Sequence, residues 1–203
     1  MTYPIVSKQT ASDSLQPNLR DYEAVRDSFQ WQQASDALNL SAATGHLNIA
    51  SIALDRHQLT ATKDQVALRF LSKEPGSEPE EITYSALWER ANRFASALTS
   101  LGLQTGDRVF CLSGRTPDLY MAALGTLKAG CVFSPLFSAF GPEPIQARMA
   151  IGNATAIVTT ARLYRKKLAS WVSQLPSLRY ILLLDAPETL GSSDNTQLEV
   201  VFL

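Results

Sequence analysis

The sequence predicts an α/β fold: a mostly parallel sheet with helices on both faces, preceded by a partly helical extension. Three observations support this prediction. Between residues 64 and 184, short apolar runs alternate with segments whose apolar residues recur at helical spacing. The run 179–184 is almost continuously apolar, which is typical of a strand buried on both faces. Glycine or proline marks most of the junctions between these segments.

The extension and the first part of the main segment contain four predicted elements. Residues 21–40 can form a short amphipathic helix, and residues 47–57 fit a helix with one apolar face. Residues 66–71 and 82–84 flank a polar, proline-containing turn and are predicted to form a hairpin. Three parts are therefore predicted: an extension that is partly flexible (1–62), an α/β subdomain (63–190) and a truncated tail (191–203).

The rest of the subdomain follows the alternation of strand and helix. A long helix over 87–101 is predicted from its apolar face, with Thr83 as its cap and Gly102 at its end. Thr116-Pro117-Asp118 is typical of a helix start. The remaining predictions are strands at 108–113, 131–136, 156–160 and 179–184, and helices at 117–128, 142–151 and 163–175.

Composition excludes several classes of protein. The chain has 203 residues, of which 45% are hydrophobic and 18% charged, so it is not a disordered tail. A net charge of −1 does not suit a protein held mainly to phosphate backbones, so no nucleic-acid partner is expected. No apolar stretch of membrane-spanning length and no secretory signal are visible. We therefore expect a soluble, cytoplasmic protein without a membrane partner.

The residue types that most often perform catalysis are sparse. The two histidines, His46 and His57, are eleven positions apart, and no cysteine is near either in sequence, so no metal ligand is assigned. No nucleophile motif is present, and no catalytic residue is assigned. Cys111 and Cys131 lie in apolar runs and are expected to be small buried hydrophobes; a disulfide would require neighbouring strands.

Two segments could hold an anion. The helix that begins after Ser113-Gly114-Arg115-Thr116 could bind one through free N–H groups, or the segment could be a plain capped turn. The second segment follows the predicted strand 156–160, at the sheet edge where ligands of α/β proteins bind. Its cations could hold a phosphate group or could form a solvated helix face. They are Arg162, Arg165, Lys166 and Lys167.

The order of motifs resembles the N-terminal part of AMP-forming acetyl-coenzyme A synthetases, within the adenylate-forming acyl-CoA ligase superfamily. The resemblance spans roughly residues 21–184. Single motifs such as Gly106-Asp107-Arg108-Val109 are common across the superfamily, whereas two segments indicate the acetate-type ligases more narrowly. These are Leu54-Asp55-Arg56-His57 and Pro135-Leu136-Phe137-Ser138-Ala139-Phe140.

The resemblance implies a two-step reaction. A carboxylate, acetate or another short acid, attacks the α-phosphate of ATP with Mg²⁺ present, and the thiol of coenzyme A (CoA) then displaces AMP. The resemblance further implies that the phosphate loop, the nucleotide motifs and the C-terminal domain lie downstream of the matched region. ATP, Mg²⁺ and CoA are therefore expected for the parent enzyme, with no cofactor certain for this chain.

The chain by itself is expected to be inactive, with the remainder of the ligase as its partner. The alternative is a stand-alone α/β module that binds a nucleotide, CoA or a partner without catalysis. Family enzymes use two arginines at i and i+3 after a strand of this subdomain to hold the 3′-phosphate of CoA. Arg162 and Arg165 have that spacing and context, so the resemblance implies that they bind CoA.

Overall fold

The computed structural model describes residues 19–38, 47–185 and 199–202. The chain divides into two compact units, Met1–Leu47 and Asn48–Leu203. Residues 1–18 of the predicted extension, His46 and most of the predicted tail lie outside the described residues. The three-part organisation, with its boundary at 62/63, stays a prediction.

The described part of the first unit contains two short helices rather than one. They are α1 (Tyr22–Ser28) and α2 (Trp31–Ala37). Phe29 and Gln30 are extended and separate them, and the Phe29 and Trp31 rings meet edge to face at 5.2 Å. The prediction of a single helix over 21–40 is wrong, because the extended backbone at Phe29 and Gln30 interrupts it.

The second unit begins with the predicted helix and hairpin. Helix α3 (Ile49–Leu54) continues as a 3₁₀ helix, Asp55–His57, and a second 3₁₀ helix covers Ala61–Asp64. Strands β1 (Val66–Phe70) and β2 (Glu80–Thr83) pair antiparallel, as predicted. A small core of buried side chains joins α3 to β2 and to the next helix; its members are Leu54, Ile82, Leu87 and Ala91.

The main sheet of the described residues has five strands, all parallel, in the spatial order β4-β3-β5-β6-β7. The predicted parallel α/β sheet is therefore confirmed. The strands are β3 (Arg108–Leu112), β4 (Val132–Pro135), β5 (Ala156–Thr159), β6 (Tyr180–Leu183) and β7 (Glu199–Phe202).

Helices cover both faces of this sheet, and alternate residues of β3 show how. Val109 and Cys111 face a core that includes helix α4 (Tyr84–Ser100) and helix α5 (Pro117–Lys128). Phe110 and Leu112 face the opposite core, which includes helix α6 (Pro142–Ile151) and helix α7 (Ala161–Lys167). Burial on both faces explains why these strands are apolar at nearly every position.

Close approach of α4 and α5 depends on Gly125. A Cβ atom there would lie 2.7 Å from Cδ1 of Phe94 and 2.8 Å from the carbonyl oxygen of Ala91. Gly102 and Gly130 follow α4 and α5 with positive φ angles of 78° and 74°, as expected for left-handed helix ends.

Of the two predicted helix starts, the structure confirms the side-chain cap at Thr83 and shows no side-chain cap at Thr116. The Thr83 hydroxyl accepts a hydrogen bond from the Ala86 N–H at 3.2 Å, as predicted. Thr116 occupies the N-cap position of α5 but makes no such side-chain bond. Pro117, which fixes its own φ, still begins this helix.

Helix α7 is much shorter than the predicted helix 163–175. Its apolar spacing does continue, through Leu168, Trp171 and Leu175, all of which are buried. The indole N–H of Trp171, however, donates to the Lys167 carbonyl at 2.7 Å and satisfies it from the side. The chain then continues through a separate 3₁₀ helix, Val172–Gln174.

Candidate functional site

The carboxyl ends of the five strands form one edge of the sheet, which we call the carboxyl edge. After β3 the chain adds β4 on one side, and then returns to add β5 on the other. The strand order therefore reverses between β3 and β5, which is where ligands bind in open α/β sheets. The segments that leave this edge are 113–116 after β3, 136–141 after β4, and Thr160 at the start of α7.

The segment after β3 is tied to its own strands. The buried Ser113 hydroxyl donates to the Gly114 carbonyl at 3.0 Å, and the Thr159 hydroxyl of β5 donates to the Leu112 carbonyl at 2.8 Å. Burial raises the pKa of the Cys111 thiol to about 11, so it is no nucleophile at neutral pH. Arg115 is exposed at this turn.

Two amides in the first turn of α7 are already bonded to side chains. The Thr160 hydroxyl accepts from the Leu163 N–H at 3.3 Å, and Asp185, which follows β6, accepts from the Ala161 N–H at 2.6 Å. A carboxylate therefore stands at the start of this helix. An anion bound here would have to be held by cationic side chains rather than by main-chain amides.

The two arginines assigned from the sequence lie on α7. Arg162 and Arg165 are both exposed, and residues three apart lie on the same side of a helix. Within the described ranges, Arg162 makes no ion pair or hydrogen bond through its side chain, and neither does Lys166. The structure thus places the predicted pair at the carboxyl edge, on the exposed face of α7.

The fourth cation of this cluster has a different role. The Lys167 ammonium donates to the carbonyls of Ser138 at 2.5 Å and Phe140 at 2.6 Å, in the segment after β4. It therefore joins α7 to that segment instead of facing solvent as a phosphate ligand would. The spacing of residues 162–167 in the sequence does not indicate that Lys167 binds main-chain carbonyls while the other three cations are exposed.

Sequence reasoning also assigned no binding role to an aromatic residue at this edge. The ring of Phe137 is 62% exposed and meets Phe140 edge to face at 5.5 Å, while the Arg148 guanidinium lies 4.4 Å from the centre of the Phe140 ring. Phe137 belongs to a motif that carried the resemblance. The segment after β4, to which Lys167 of α7 is bonded, therefore carries a large exposed ring. Such a ring offers a flat apolar surface to a ligand.

The side chain of Asn48 connects two helices of the second unit. Asn48 accepts from the amides of Ala50 and Ser51 at the start of α3, and its amide donates to the carbonyls of Leu127 (3.0 Å) and Lys128 (3.1 Å). One side chain thereby joins α3 to the end of α5.

Asp55 forms a second link between the same elements. Its carboxylate accepts from the Trp88 indole at 2.6 Å and pairs with Lys128. Burial raises the pKa of Asp55, but hydrogen bonds from Lys128 and Ser51, together with the Lys128 charge, outweigh it. The pKa therefore lies below its ordinary value, and the carboxylate is charged when it makes these bonds.

Two classes of feature are missing from the part of the chain that the structure describes. No group of three or more His, Cys, Asp or Glu side chains is placed to hold a metal ion. Among the same residues, no helix combines the length and apolarity needed to cross a bilayer.

Comparisons with known proteins agree with this architecture. The family model described as "AMP-binding enzyme" matches residues 55–200. The acetyl-coenzyme A synthetase of Bacillus subtilis (strain 168) is 32% identical over 177 residues, covering 87% of this chain and 30% of that protein. The acetyl-coenzyme A synthetase of Desulfatibacillum aliphaticivorans is 39% identical over 115 residues, covering 57% of this chain and 18% of that protein.

A solved structure shows the same relationship. The chain resembles the crystal structure of Brucella canis acyl-CoA synthetase with a TM-score of 0.67 and 26% identity, covering 86% of this chain and 30% of the other. The chain thus spans about a third or less of the length of the relatives named here. The resemblance to acetyl-coenzyme A synthetases is confirmed, and the family model matches well over half of the chain. The chain belongs to the AMP-binding enzyme family.

Proposed function

We propose that the chain is the N-terminal segment of an ATP-dependent acetate–CoA ligase, and that its carboxyl edge binds the 3′-phosphate end of CoA. The observation that most supports a binding role is Arg162, exposed and unpaired among the described residues, on the same side of α7 as Arg165. The names of the relatives support acetate as the carboxylate, and another short acid is the alternative substrate.

Each residue has a distinct part in this proposal. The guanidinium groups of Arg162 and Arg165 bind the phosphate, because a planar fork of N–H donors matches phosphate oxygens and stays charged at all working pH values. The exposed ring of Phe137 provides a surface on which the adenine of CoA stacks. The Asp185 carboxylate keeps the phosphate away from the start of α7 itself.

The chemistry of adenylation belongs to parts of the ligase beyond this segment. In the parent enzyme, ATP and Mg²⁺ supply the activated phosphate and its charge neutralisation, and no residue described here is assigned to that step. This segment positions CoA. The remainder of the ligase is its proposed partner, and the cytoplasm its proposed location.

A titration of the purified chain tests the binding role. Calorimetry with CoA and with 3′-dephospho-CoA should give about tenfold tighter binding of CoA, the effect of losing one charge-assisted contact. In Arg162→Ala this preference should disappear, while Lys166→Ala, which removes an exposed cation from the same helix, should keep it. Equal affinity for the two ligands in the unaltered chain would contradict the proposal.

A separate assay tests whether the segment is inactive alone. Acetate-dependent exchange between ATP and pyrophosphate should be absent with the 203-residue chain. Exchange above the level without acetate would show that the segment adenylates by itself, contrary to the proposal.

A further inference from the structure

Lys167 connects two segments that leave the sheet on opposite sides of β3. It ends α7, which follows β5, and its ammonium reaches main-chain carbonyls in the segment after β4. Because β3 separates β4 from β5 in the sheet, this contact bridges the point where the strand order reverses. Both ends of Lys167 are fixed, since its own carbonyl accepts the Trp171 indole N–H.

The orientation of α7 depends on such contacts. A helix of seven residues has little stability by itself, so tertiary contacts determine which way its side chains point. Asp185 fixes the first turn through the Ala161 amide, and Lys167 fixes the last. Arg162 and Arg165 lie between these two attachments.

The segment that Lys167 binds is itself ordered by aromatic contacts. Phe140 lies under the Arg148 guanidinium and against the ring of Phe137. Lys167 therefore attaches the arginine-bearing helix to a fixed aromatic pair rather than to a free loop. A change in this attachment would move the arginines relative to the Phe137 ring.

We propose that Lys167 is a positioning residue for the 3′-phosphate of CoA: it holds α7 against the segment after β4, so that Arg162, Arg165 and Phe137 meet one ligand together. This inference rests on the function proposed above. It adds that phosphate recognition depends on a lysine whose ammonium binds protein carbonyls and does not touch the phosphate.

The test compares Lys167→Met with Lys166→Met, two neighbouring changes that remove the same charge from α7. Calorimetry gives each variant's preference for CoA over 3′-dephospho-CoA, and a thermal melt shows that it is folded. Lys167→Met should reduce a preference of about tenfold to about twofold or less, whereas Lys166→Met should keep most of it. Lys167→Arg should restore the preference, because its N–H groups can donate to the same two carbonyls.

Three results would overturn the inference. A folded Lys167→Met that keeps the preference would contradict it and leave the proposed function intact. Equal losses in the Lys167 and Lys166 variants would assign the effect to net charge. No preference in the unaltered chain would remove the proposed function and this inference together. Should Lys167→Met not fold, Lys167→Gln is compared with Lys166→Gln: the Gln amide is neutral and one atom nearer the backbone, so it binds the two carbonyls more weakly, and Lys167→Gln should still lose more of the preference than Lys166→Gln.

Discussion

The two edges of the parallel sheet differ in how fully their charged side chains are engaged in contacts within the fold. At the amino edge, where the strands begin, Asp107 accepts from the Gln104 amide at 2.8 Å and pairs with Arg179 at 3.0 Å. Arg108, beside it, donates to the Asn153 carbonyl at 2.8 Å. At the carboxyl edge, Arg162 is exposed and unpaired among the described residues. At the amino edge these charged side chains hold turns closed, whereas at the carboxyl edge Lys167 and Asp185 hold α7 and the exposed Arg162 is left for the proposed ligand.

The largest effect on stability is expected for Asp107→Ala. The change leaves the Gln104 amide and the Thr155 hydroxyl, 3.3 Å from the carboxylate, without their acceptor. We expect a loss of about 2 kcal/mol in the free energy of unfolding, measured by denaturant titration. Asp118→Ala, in the first turn of α5 at the carboxyl edge, is the matched control and should cost less than about 1 kcal/mol. A smaller loss for Asp107→Ala than for this control would show that Asp107 does not stabilise the turns of the amino edge.

The next effect is expected for Asn48→Ala. Its side chain caps α3 and also donates to the last carbonyls of α5, so one substitution loses contacts of both kinds. We expect a loss of about 1 to 2 kcal/mol in the free energy of unfolding by the same titration. Asn92→Ala on α4, whose side chain makes no bond to a described residue, should change it by less than about 0.5 kcal/mol. Equal effects would show that the link between α3 and α5 adds no stability.

Acid should weaken the link between α3 and α5 through Asp55. The folded-state pKa of this carboxyl lies below its unfolded value of about 3.9, so its contribution is present above that value. It is lost as the pH falls through the folded pKa. We therefore expect the stability of the unaltered chain to fall more steeply from pH 5 to 2.5 than that of Asp55→Asn. Parallel stability profiles would contradict this role of Asp55.

The smallest effect is expected for the CoA affinity of Asp185→Asn, at the carboxyl edge. Asp185→Asn keeps an acceptor for the Ala161 amide but removes a negative charge at the start of the helix that carries Arg162. CoA should bind about twofold more tightly at low salt, and the gain should shrink at high salt because exposed charges are screened. Weaker binding in this variant would show instead that the carboxylate supports the ligand site.

Much of the fold could be predicted because its signals are local. Periodic apolar residues predicted α4, and the change to short apolar runs predicted β3, β5 and β6. Failures came where a distant or side-chain contact decided the outcome. The Trp171 indole satisfies the Lys167 carbonyl just where the apolar spacing of α7 would have allowed another turn. Strand β7 was treated as part of a tail, because its pairing with β6 is a tertiary contact.

The candidate site was predictable only in part, for the same reason. The spacing of Arg162 and Arg165 and their position after a strand are visible in the sequence, and both lie at the expected edge. The sequence could not separate Lys167 from Lys166, because what distinguishes them is a contact with carbonyls 27 to 29 residues away. Lys166 and Lys167 are adjacent and carry the same charge, but only the fold shows that the first is exposed and the second binds carbonyls.

The most direct test of the account changes one arginine at each edge and measures two quantities. Arg108→Met should lower the free energy of unfolding by about 1 kcal/mol and leave CoA affinity within about twofold, because its contacts are main-chain carbonyls at the amino edge. Arg162→Met should leave stability within about 0.5 kcal/mol and weaken CoA binding about tenfold. We expect this crossed pattern. If both variants lost stability alone, or both lost CoA affinity alike, the division between the two edges would be contradicted.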